Sequence, residues 1–349
     1  MGKLPVHLTI DVECAESRVR NGVVCPPLGY APRVWGRFGN LDTELGVRRI
    51  AADLRARKLE ATFFVEPLGA RYFGVGELRD VVACLLDHGQ DVQLHLHPTQ
   101  RDPEARLRGD APPKDDVGAY ARDAQAAMLR EGVDLLVDAG VPRERLVAFR
   151  AGNFGATNET WHACVEAGLR LSSNYDPGYF DVSCGMRHEN ARADLFEPVP
   201  GLLELPISCV RTARGALRHL QLTAMSAREI QAALHAMRSL GYAAATLVSH
   251  SFELYTIADR DGLVGRPSRV NLARWASLLD FLEREREAFP TESTFDLVAR
   301  CSPALPSTGT AREFPRTPPH LELLRIAEQA LKRLERHLPS SSPVSTRRN

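Results

Sequence analysis

The sequence predicts an α/β fold: an incomplete (β/α) barrel of seven parallel strands, followed by a linker and an amphipathic helix. Apolar, strand-like runs alternate with helical patterns as far as Cys301, which is typical of a parallel sheet. Several of the strand-like runs end in polar side chains. A barrel brings all strand ends to one mouth, so this pattern favours a barrel over an open doubly wound sheet.

The predicted elements follow one another in a regular order. The strands are Val6–Asp11, Glu60–Val65, Asp91–His97, Leu146–Ala151, Leu169–Asn174, Leu202–Ile207 and Ala244–His250. The helices are Thr43–Lys58, Gly76–His88, Val117–Ala139, Asn158–Ala167, Ala227–Leu240, Leu272–Ala288 and Ser293–Arg300. Four helices end in a glycine, which allows the left-handed conformation that closes a helix: Gly89, Gly140, Gly168 and Gly241. The long connections leave the C-terminal sides of strands, where loops normally build a substrate mouth: Val12–Leu41, Pro98–Asp116, Tyr175–Gly201 and Ser251–Asn271.

The chain divides into four parts. Residues 1–301 form the barrel, and residues 302–319, rich in Pro, Ser and Thr, indicate a linker. Residues 320–338 are helical, and residues 339–349 are typical of a disordered tail. The helix could pack on the barrel, pair with another subunit or lie on a membrane, and its mixed charges make the membrane the weakest choice. Its predicted apolar stripe is Leu321, Leu324, Ala327, Leu331, Leu334 and Leu338.

Composition excludes several classes of protein. The 44 Lys and Arg residues balance 44 Asp and Glu residues, whereas a nucleic-acid-binding protein usually carries a basic excess. No apolar run approaches the length needed to cross a membrane, and the N-terminus shows no apolar signal region. The seven cysteines include no Cys-x-x-Cys pair. We therefore expect reduced thiols and a cytoplasmic protein.

Acidic residues and histidines at two strand ends outline a metal site. Asp11 and Glu13 stand two residues apart, as do His95 and His97, and residues two apart on a strand face the same way. Carboxylates and imidazoles together suit zinc, but also cobalt, nickel or iron. Cys14 would face the opposite side of its strand, so we do not expect it to be a ligand.

Arg150 and His250 end two further strands and would point to the same place. Taken alone, the arginine could form a structural ion pair, and the histidine could be a satisfied core residue. Their placement at C-terminal strand ends beside the metal-ligand candidates favours a catalytic function.

Four segments, in this order, resemble the polysaccharide deacetylases, the NodB-homology group of metal-dependent amidohydrolases. The segments are Thr9-Ile10-Asp11-Val12-Glu13, Gln93-Leu94-His95-Leu96-His97-Pro98, Phe149-Arg150-Ala151-Gly152 and Leu247-Val248-Ser249-His250; Ala61-Thr62-Phe63-Phe64-Val65 and Glu204-Leu205-Pro206 are also similar. The resemblance implies that Asp11 is the base that takes a proton from a metal-bound water, and that Arg150 pairs with it. It also implies that His95 is a metal ligand and that His250 is the acid that protonates the departing amine.

The sequence departs from the common family pattern in three places. Asp11-Val12-Glu13 replaces an adjacent Asp pair, so Glu13 is expected to be the metal carboxylate. The second histidine is expected at the position of Thr99, but this chain has His97, which Pro98 keeps extended, as in a His-x-His-Pro variant subgroup. Whether His97 or Thr99 completes the metal site is open at this point. Arg150-Ala151-Gly152 lacks the usual proline and aromatic residue, which leaves the oxyanion-binding backbone open.

The sequence therefore predicts a metal-dependent hydrolase that removes N-acetyl groups from an aminosugar or glycan precursor. The ligands are Glu13, His95 and His97, the metal is a divalent ion, with zinc favoured, and Asp11, Arg150 and His250 are catalytic. The expected partners are an N-acetylated sugar or glycan precursor and a second copy of the chain, bound through the C-terminal helix. We expect no nucleic-acid partner and no membrane span. Two alternatives remain: a non-catalytic sugar-binding or assembly protein, and a hydrolase of another non-peptide C–N bond.

Overall fold

The computed structural model describes residues 2–188, 192–301 and 313–335, and it shows a mixed α/β fold built on one eight-stranded sheet. The strands are β1 (Val6–Val12), β2 (Arg18–Arg20), β3 (Val23–Cys25), β4 (Thr62–Val65), β5 (Asp91–Leu96), β6 (Ala148–Ala151), β7 (Leu171–Ser172), β8 (Phe196–Val199), β9 (Leu202–Glu204), β10 (Cys209–Arg211), β11 (Leu217–His219), β12 (Ala245–His250), β13 (Tyr255–Ile257) and β14 (Gly265–Pro267). The helices are α1 (Val47–Ala56), α2 (Ala70–Phe73), α3 (Val75–Asp87), α4 (Ala105–Arg108), α5 (Arg122–Asp138), α6 (Asn158–Glu166), α7 (Ala227–Ser239), α8 (Arg269–Arg284), α9 (Thr294–Arg300) and α10 (Pro319–Glu335).

Seven neighbouring strands of the sheet run parallel, in the order β12-β1-β4-β5-β6-β7-β9. This confirms the predicted incomplete (β/α) barrel with seven parallel strands. Strand β8 pairs with β9 in the antiparallel direction and lies at the edge of the sheet. The register places Asp11 beside His250 and His95 beside Arg150, so the parallel ladder itself brings four of the predicted site residues together.

The closing segment, residues 205–222, includes the hairpin β10–β11 and spans the gap between β9 and β12. At its start, the Ile207 amide donates to the carbonyl of Tyr175, three residues after the end of β7, at 2.9 Å. Its end is held to β12 by the amide of Val248, which donates to the Leu220 carbonyl at 2.9 Å. Gln221 forms an isolated parallel bridge with Val248, so this closing segment delivers the Gln221 side chain to the same end of the barrel as His250.

The core lies between the sheet and its covering helices. Strand β1 is buried along its whole length, which explains its continuous apolar character at Val6, Leu8 and Ile10. The capping box that begins α7 is present, since the Ser226 side chain accepts from the Glu229 amide. The four helix-ending glycines all have positive φ, as the sequence predicts.

The connections between the barrel strands contain short elements that the sequence analysis did not predict. They are the three hairpins β2–β3, β10–β11 and β13–β14, and the edge strand β8. The predicted helix Val117–Ala139 also begins late, at Arg122, because Tyr120 is extended and ends a single 3₁₀ turn at Val117–Ala119. These are local pairings and turns of three or four residues, too short for hydrophobic periodicity to reveal.

Helix α10 packs on the barrel through polar side chains, and part of its predicted apolar stripe lies on the exposed side. Arg325 contacts Glu229 at 3.3 Å, and Glu328 accepts from Arg274 at 2.7 Å, so charged pairs lie on the inner face. Leu331 and Leu334, both in the predicted stripe, are 56% and 62% exposed. They share the outer side of α10 with Leu323 and Ile326.

The predicted boundaries at the end of the chain are only partly testable in the structure. Residues 302–312 of the predicted linker, residues 336–338 of the predicted helix and the whole predicted tail lie outside the described residues. None of the described helices combines the length and the apolar character that a membrane span requires. All seven cysteines are buried and unpaired.

Candidate metal centre and active site

Three side chains converge at the C-terminal ends of β1 and β5. The Glu13 carboxylate lies with Oε2 3.3 Å from His95 Nε2 and 2.7 Å from His97 Nε2. One potential donor atom from each residue lies within 4.8 Å of the other two. Among the described residues, this is the one group of three or more His, Cys, Asp and Glu side chains close enough to hold an ion.

The backbone explains why both imidazoles reach the same place. His95 lies on β5, and His97 follows it in an extended conformation, with φ −116° and ψ 103°, before Pro98 begins a 3₁₀ turn. The two rings therefore stand on one side, with centroids 5.0 Å apart. Gly152 leaves room for the second ring, because a Cβ at that position would lie 2.3 Å from His97 Cε1.

The other nitrogen of each imidazole meets a hydrogen-bond acceptor. His95 Nδ1 lies 2.9 Å from the Arg150 carbonyl oxygen, and His97 Nδ1 lies 3.0 Å from an Asp115 carboxylate oxygen. A carbonyl and a carboxylate can only accept, so both Nδ1 atoms carry hydrogen and both Nε2 atoms face the cluster. This is the arrangement by which outer partners orient metal-binding histidines, and the donor set fits a divalent metal.

Asp115 is a site residue that sequence reasoning missed. It receives hydrogen bonds from Thr99 Oγ1 at 2.7 Å and Asn153 Nδ2 at 2.6 Å, in addition to His97. Burial raises the pKa of this carboxyl, but these contacts, led by His97, outweigh it and lower the pKa to about 2. Thr99 therefore supports Asp115 and is not part of the three-residue cluster. The signal for Asp115 was only its position in a long connection at the barrel mouth.

The charges of the cluster depend on one another. Burial alone would raise the pKa of Glu13, but His97, His95 and Arg33 outweigh it and hold the pKa well below its usual range. Burial would lower the pKa of His97, whereas Glu13 and Asp115 hold it well above the ordinary value. Arg33 donates to the other Glu13 oxygen, Oε1, at 2.8 Å. Cys14 is buried, and burial raises the pKa of its thiol, so it remains neutral beside the cluster.

Asp11 lies next to the cluster and forms an ion pair with a buried arginine, Arg150. Arg150 Nη1 donates to Asp11 Oδ1 at 2.8 Å and to Thr9 Oγ1 at 2.8 Å. Its Nη2 donates to Ser173 Oγ at 2.9 Å, and no part of the arginine is exposed. The guanidinium therefore fixes the orientation of the Asp11 carboxylate and balances its charge.

His250 stands on the opposite side of Asp11. Its Nε2 lies 3.9 Å from Asp11 Oδ2, and its Nδ1 lies 2.8 Å from Glu253 Oε1. Burial would lower the pKa of the imidazole, but Glu253 and Asp11 outweigh it and raise the pKa above its ordinary value. Glu253 was missed by sequence reasoning, although its place three residues after His250 was a usable signal.

One open cavity of about 130 Å³ contains these groups. Asp11, Glu13, His95, His97 and His250 all line it, whereas Arg150 lies behind Asp11 and is fully buried. The structure thus brings the six predicted residues together. The cavity is also lined by residues outside the predicted ligand and catalytic set: Ala151, Asn153, Phe154, Tyr179, His219, Gln221 and Val248.

Comparison with known proteins gives a likeness of structure and none of sequence. No family model and no curated protein matches the chain. A candidate polysaccharide deacetylase from Mycobacterium smegmatis has a similar structure, with a TM-score of 0.53 and 18% identity over 91% of this chain and 95% of that one. A 4-alpha-glucanotransferase from Thermococcus litoralis matches with a TM-score of 0.50 and 10% identity over 95% of this chain but 47% of that one. A peptidoglycan deacetylase from Bacillus subtilis matches with a TM-score of 0.41 and 10% identity over 85% of this chain and 92% of that one. The first of these likenesses shows that the chain has the fold of a polysaccharide deacetylase, the incomplete (β/α) barrel.

Proposed function

We propose that the protein is a metal-dependent hydrolase that removes N-acetyl groups from an aminosugar or glycan precursor. The observation that carries the proposal is the content of one cavity. A carboxylate and two oriented imidazoles lie beside Asp11, which is held by Arg150, and beside His250, which is held by Glu253. Ligands, a base and an acid are the groups that amide hydrolysis requires at neutral pH.

Glu13, His95 and His97 would hold the metal. Two imidazoles and one carboxylate with open positions suit zinc best, and cobalt, nickel and iron accept the same ligands. When bound, the ion supplies Lewis-acid chemistry, which polarises the substrate carbonyl and makes water more acidic. The Nδ1 contacts to the Arg150 carbonyl and to Asp115 support this assignment, because they leave both Nε2 atoms directed at Glu13.

Asp11 and His250 divide the proton transfers of the reaction. The Asp11 carboxylate, fixed by Arg150, takes a proton from the water that attacks the amide carbon. His250 is protonated on both nitrogens. Its Nδ1–H donates a hydrogen bond to Glu253, and its Nε2 gives a proton to the departing amine. The C–N bond breaks, and acetate and the free amine are released. Because the base must be ionised and the acid protonated, the rate should be bell-shaped in pH.

A metal-depletion assay on a substrate panel tests this proposal. The purified protein is stripped with a chelator and then supplied with zinc, cobalt, nickel or iron, and acetate release is measured on N-acetylated sugars. We expect release that disappears on stripping and returns with metal. Sugar binding without release would favour the non-catalytic alternative, and release of a different acid from another amide would favour the other C–N hydrolase. A cytoplasmic location stays a prediction, for which cell fractionation is the test.

A further inference from the structure

A chain of hydrogen bonds passes through two cavity-lining residues, His219 and Gln221, and ends at His250. Asp176 Oδ2 lies 2.9 Å from His219 Nδ1, and His219 Nε2 lies 2.9 Å from Gln221 Oε1. Gln221 Nε2 donates to Glu253 Oε1 at 2.6 Å. The same Glu253 oxygen lies 2.8 Å from His250 Nδ1. Neither His219 nor Gln221 has a part in the mechanism above, although both line the cavity.

The direction of each bond follows from the Glu253 carboxylate. This carboxylate can only accept, and it also accepts from Ser249 Oγ at 2.9 Å. The amide nitrogen of Gln221 must therefore face Glu253, since its oxygen there would meet a second acceptor at 2.6 Å. The Gln221 oxygen is left facing His219.

His219 consequently lies between two acceptors, the Asp176 carboxylate and the Gln221 carbonyl. Both of its ring nitrogens need hydrogen, so the ring is an imidazolium paired with Asp176. Burial would lower the pKa of His219, but the hydrogen bonds and the charge of Asp176 outweigh it and raise the pKa, in agreement with this geometry. The Tyr179 ring stacks on His219, with 4.9 Å between the ring centroids, and this contact restricts rotation of the imidazole away from its two acceptors.

We infer that Gln221 is a positioning residue for the acid of the proposed reaction: His219 fixes its amide, and that amide orients the Glu253 carboxylate toward His250. The inference rests on the proposed function for the role of His250, but the hydrogen-bond chain does not. The closing segment gives Gln221 this place, because its bridge to Val248 aligns it with the end of β12.

The amide has a second effect, on acid strength. A donor on Glu253 draws off part of the carboxylate charge, so Glu253 stabilises the protonated form of His250 less than it would alone. His250 therefore gives up its proton more readily to the departing amine. The charged groups that face His250 are Glu253, Asp11 and, more weakly, Glu13, and those that face His219 are Asp176 and Glu253.

The test replaces Gln221 and follows His250 directly. In Gln221→Met, which keeps the length but has no donor, NMR titration of the zinc-loaded full chain should show the pKa of His250 raised by about one unit. The basic limb of the kcat/KM profile should move to higher pH by a similar amount, with kcat lowered about tenfold. Gln231→Met, on α7 and outside the cavity, is the matched control and should change neither.

Two further variants separate positioning from simple packing. His219→Phe keeps a ring against Tyr179 but loses the donor to Gln221, and should shift the His250 titration in the same direction. His219→Gln restores a donor and should return it toward the wild-type value. If Gln221→Met does not fold, Gln221→Leu carries the same measurement.

The outcomes distinguish the inference from the proposed function. A loss of rate in Gln221→Met with an unmoved His250 titration, or a shift to lower pH, overturns the inference and leaves the deacetylase proposal standing. A shifted titration in a protein that releases no acetate supports the hydrogen-bond chain and overturns the proposed reaction.

Discussion

Gly152→Ala should weaken metal binding although it replaces none of the proposed ligands. The added Cβ would lie 2.3 Å from Cε1, 2.4 Å from Nδ1 and 2.5 Å from Nε2 of His97. Non-bonded carbon atoms normally approach to about 3.5 Å, so the ring must retreat by roughly 1 Å. Gly152 does not have a positive φ, so the substitution adds no backbone strain of its own.

A displacement of that size matters because metal–ligand distances are held to about 0.2 Å. The ring cannot keep both its contact with Asp115 and the direction of Nε2 toward Glu13. We therefore expect zinc affinity to fall by about 10- to 100-fold, the usual effect of disturbing the support of a metal ligand. The fold should survive, because overpacking of this kind typically costs about 1–3 kcal/mol.

Zinc affinity is measured by competition with a chromogenic chelator, and unfolding by thermal melting. Gly39→Ala is the matched control, since its Cβ would have no atom within 4 Å, and it should bind zinc as the wild type does. Wild-type zinc affinity in a folded Gly152→Ala protein would refute the assignment of His97 as a ligand.

The remaining predictions concern the support of the site, pH stability and assembly. Asp115→Ala removes the acceptor on His97 Nδ1 and should lower zinc affinity about 10- to 100-fold, whereas Asp110→Ala, on the surface of the same connection, should not; equal affinities in the chelator competition would contradict the argument. Burial, against the opposing effect of Glu292, lowers the pKa of His7 from 6.5 to about 4, so the unfolded chain binds a proton between these values that the folded protein does not. The free energy of unfolding should therefore fall by up to about 3 kcal/mol as the pH drops through that window, and His7→Phe should remove this loss. Urea unfolding of both proteins at pH 7 and pH 4.5 measures it. An equal fall in the wild type and in His7→Phe would count against the argument. The exposed side of α10, with Leu323, Ile326, Leu331 and Leu334, is our predicted contact for a second copy, so light scattering should show a dimer that Leu331→Glu dissociates, and a monomeric wild type would dismiss it.

The barrel was predictable because its strands are buried, and buried strands appear in the sequence as continuous apolar runs. Strand β1 is covered on both sides, and its continuous apolar pattern marks it as a central parallel strand. The hairpin β2–β3 gave no such signal, since each strand has only three residues and two of its valines, Val19 and Val23, are exposed. The side of α10 that faces the barrel could not be predicted, because ion pairs with Arg274 and Glu229, which no periodicity reveals, determine it.

The convergence of the site followed from the same parallel pairing. Neighbouring strands in register carry Asp11 beside His250 and His95 beside Arg150, so residues at strand ends could be placed without knowing the loops. Asp115 could not be placed in this way, because its connection folds back over the mouth by turns and not by strand pairing. Gln221 was equally hidden, since it lies outside the barrel strands and joins β12 only through one isolated bridge, to Val248.

Acetate release by Asp11→Asn, measured beside its zinc content, tests the central claim most directly. Asn keeps the shape of the side chain and its contact with Arg150, and Glu13, His95 and His97 are unchanged, so the variant should bind zinc as the wild type does. Its rate on the preferred N-acetylated sugar should fall by about 10²–10⁴, the usual effect of removing a positioned base. Asp110→Asn serves as the control and should keep the full rate. Full activity in zinc-loaded Asp11→Asn would contradict the account.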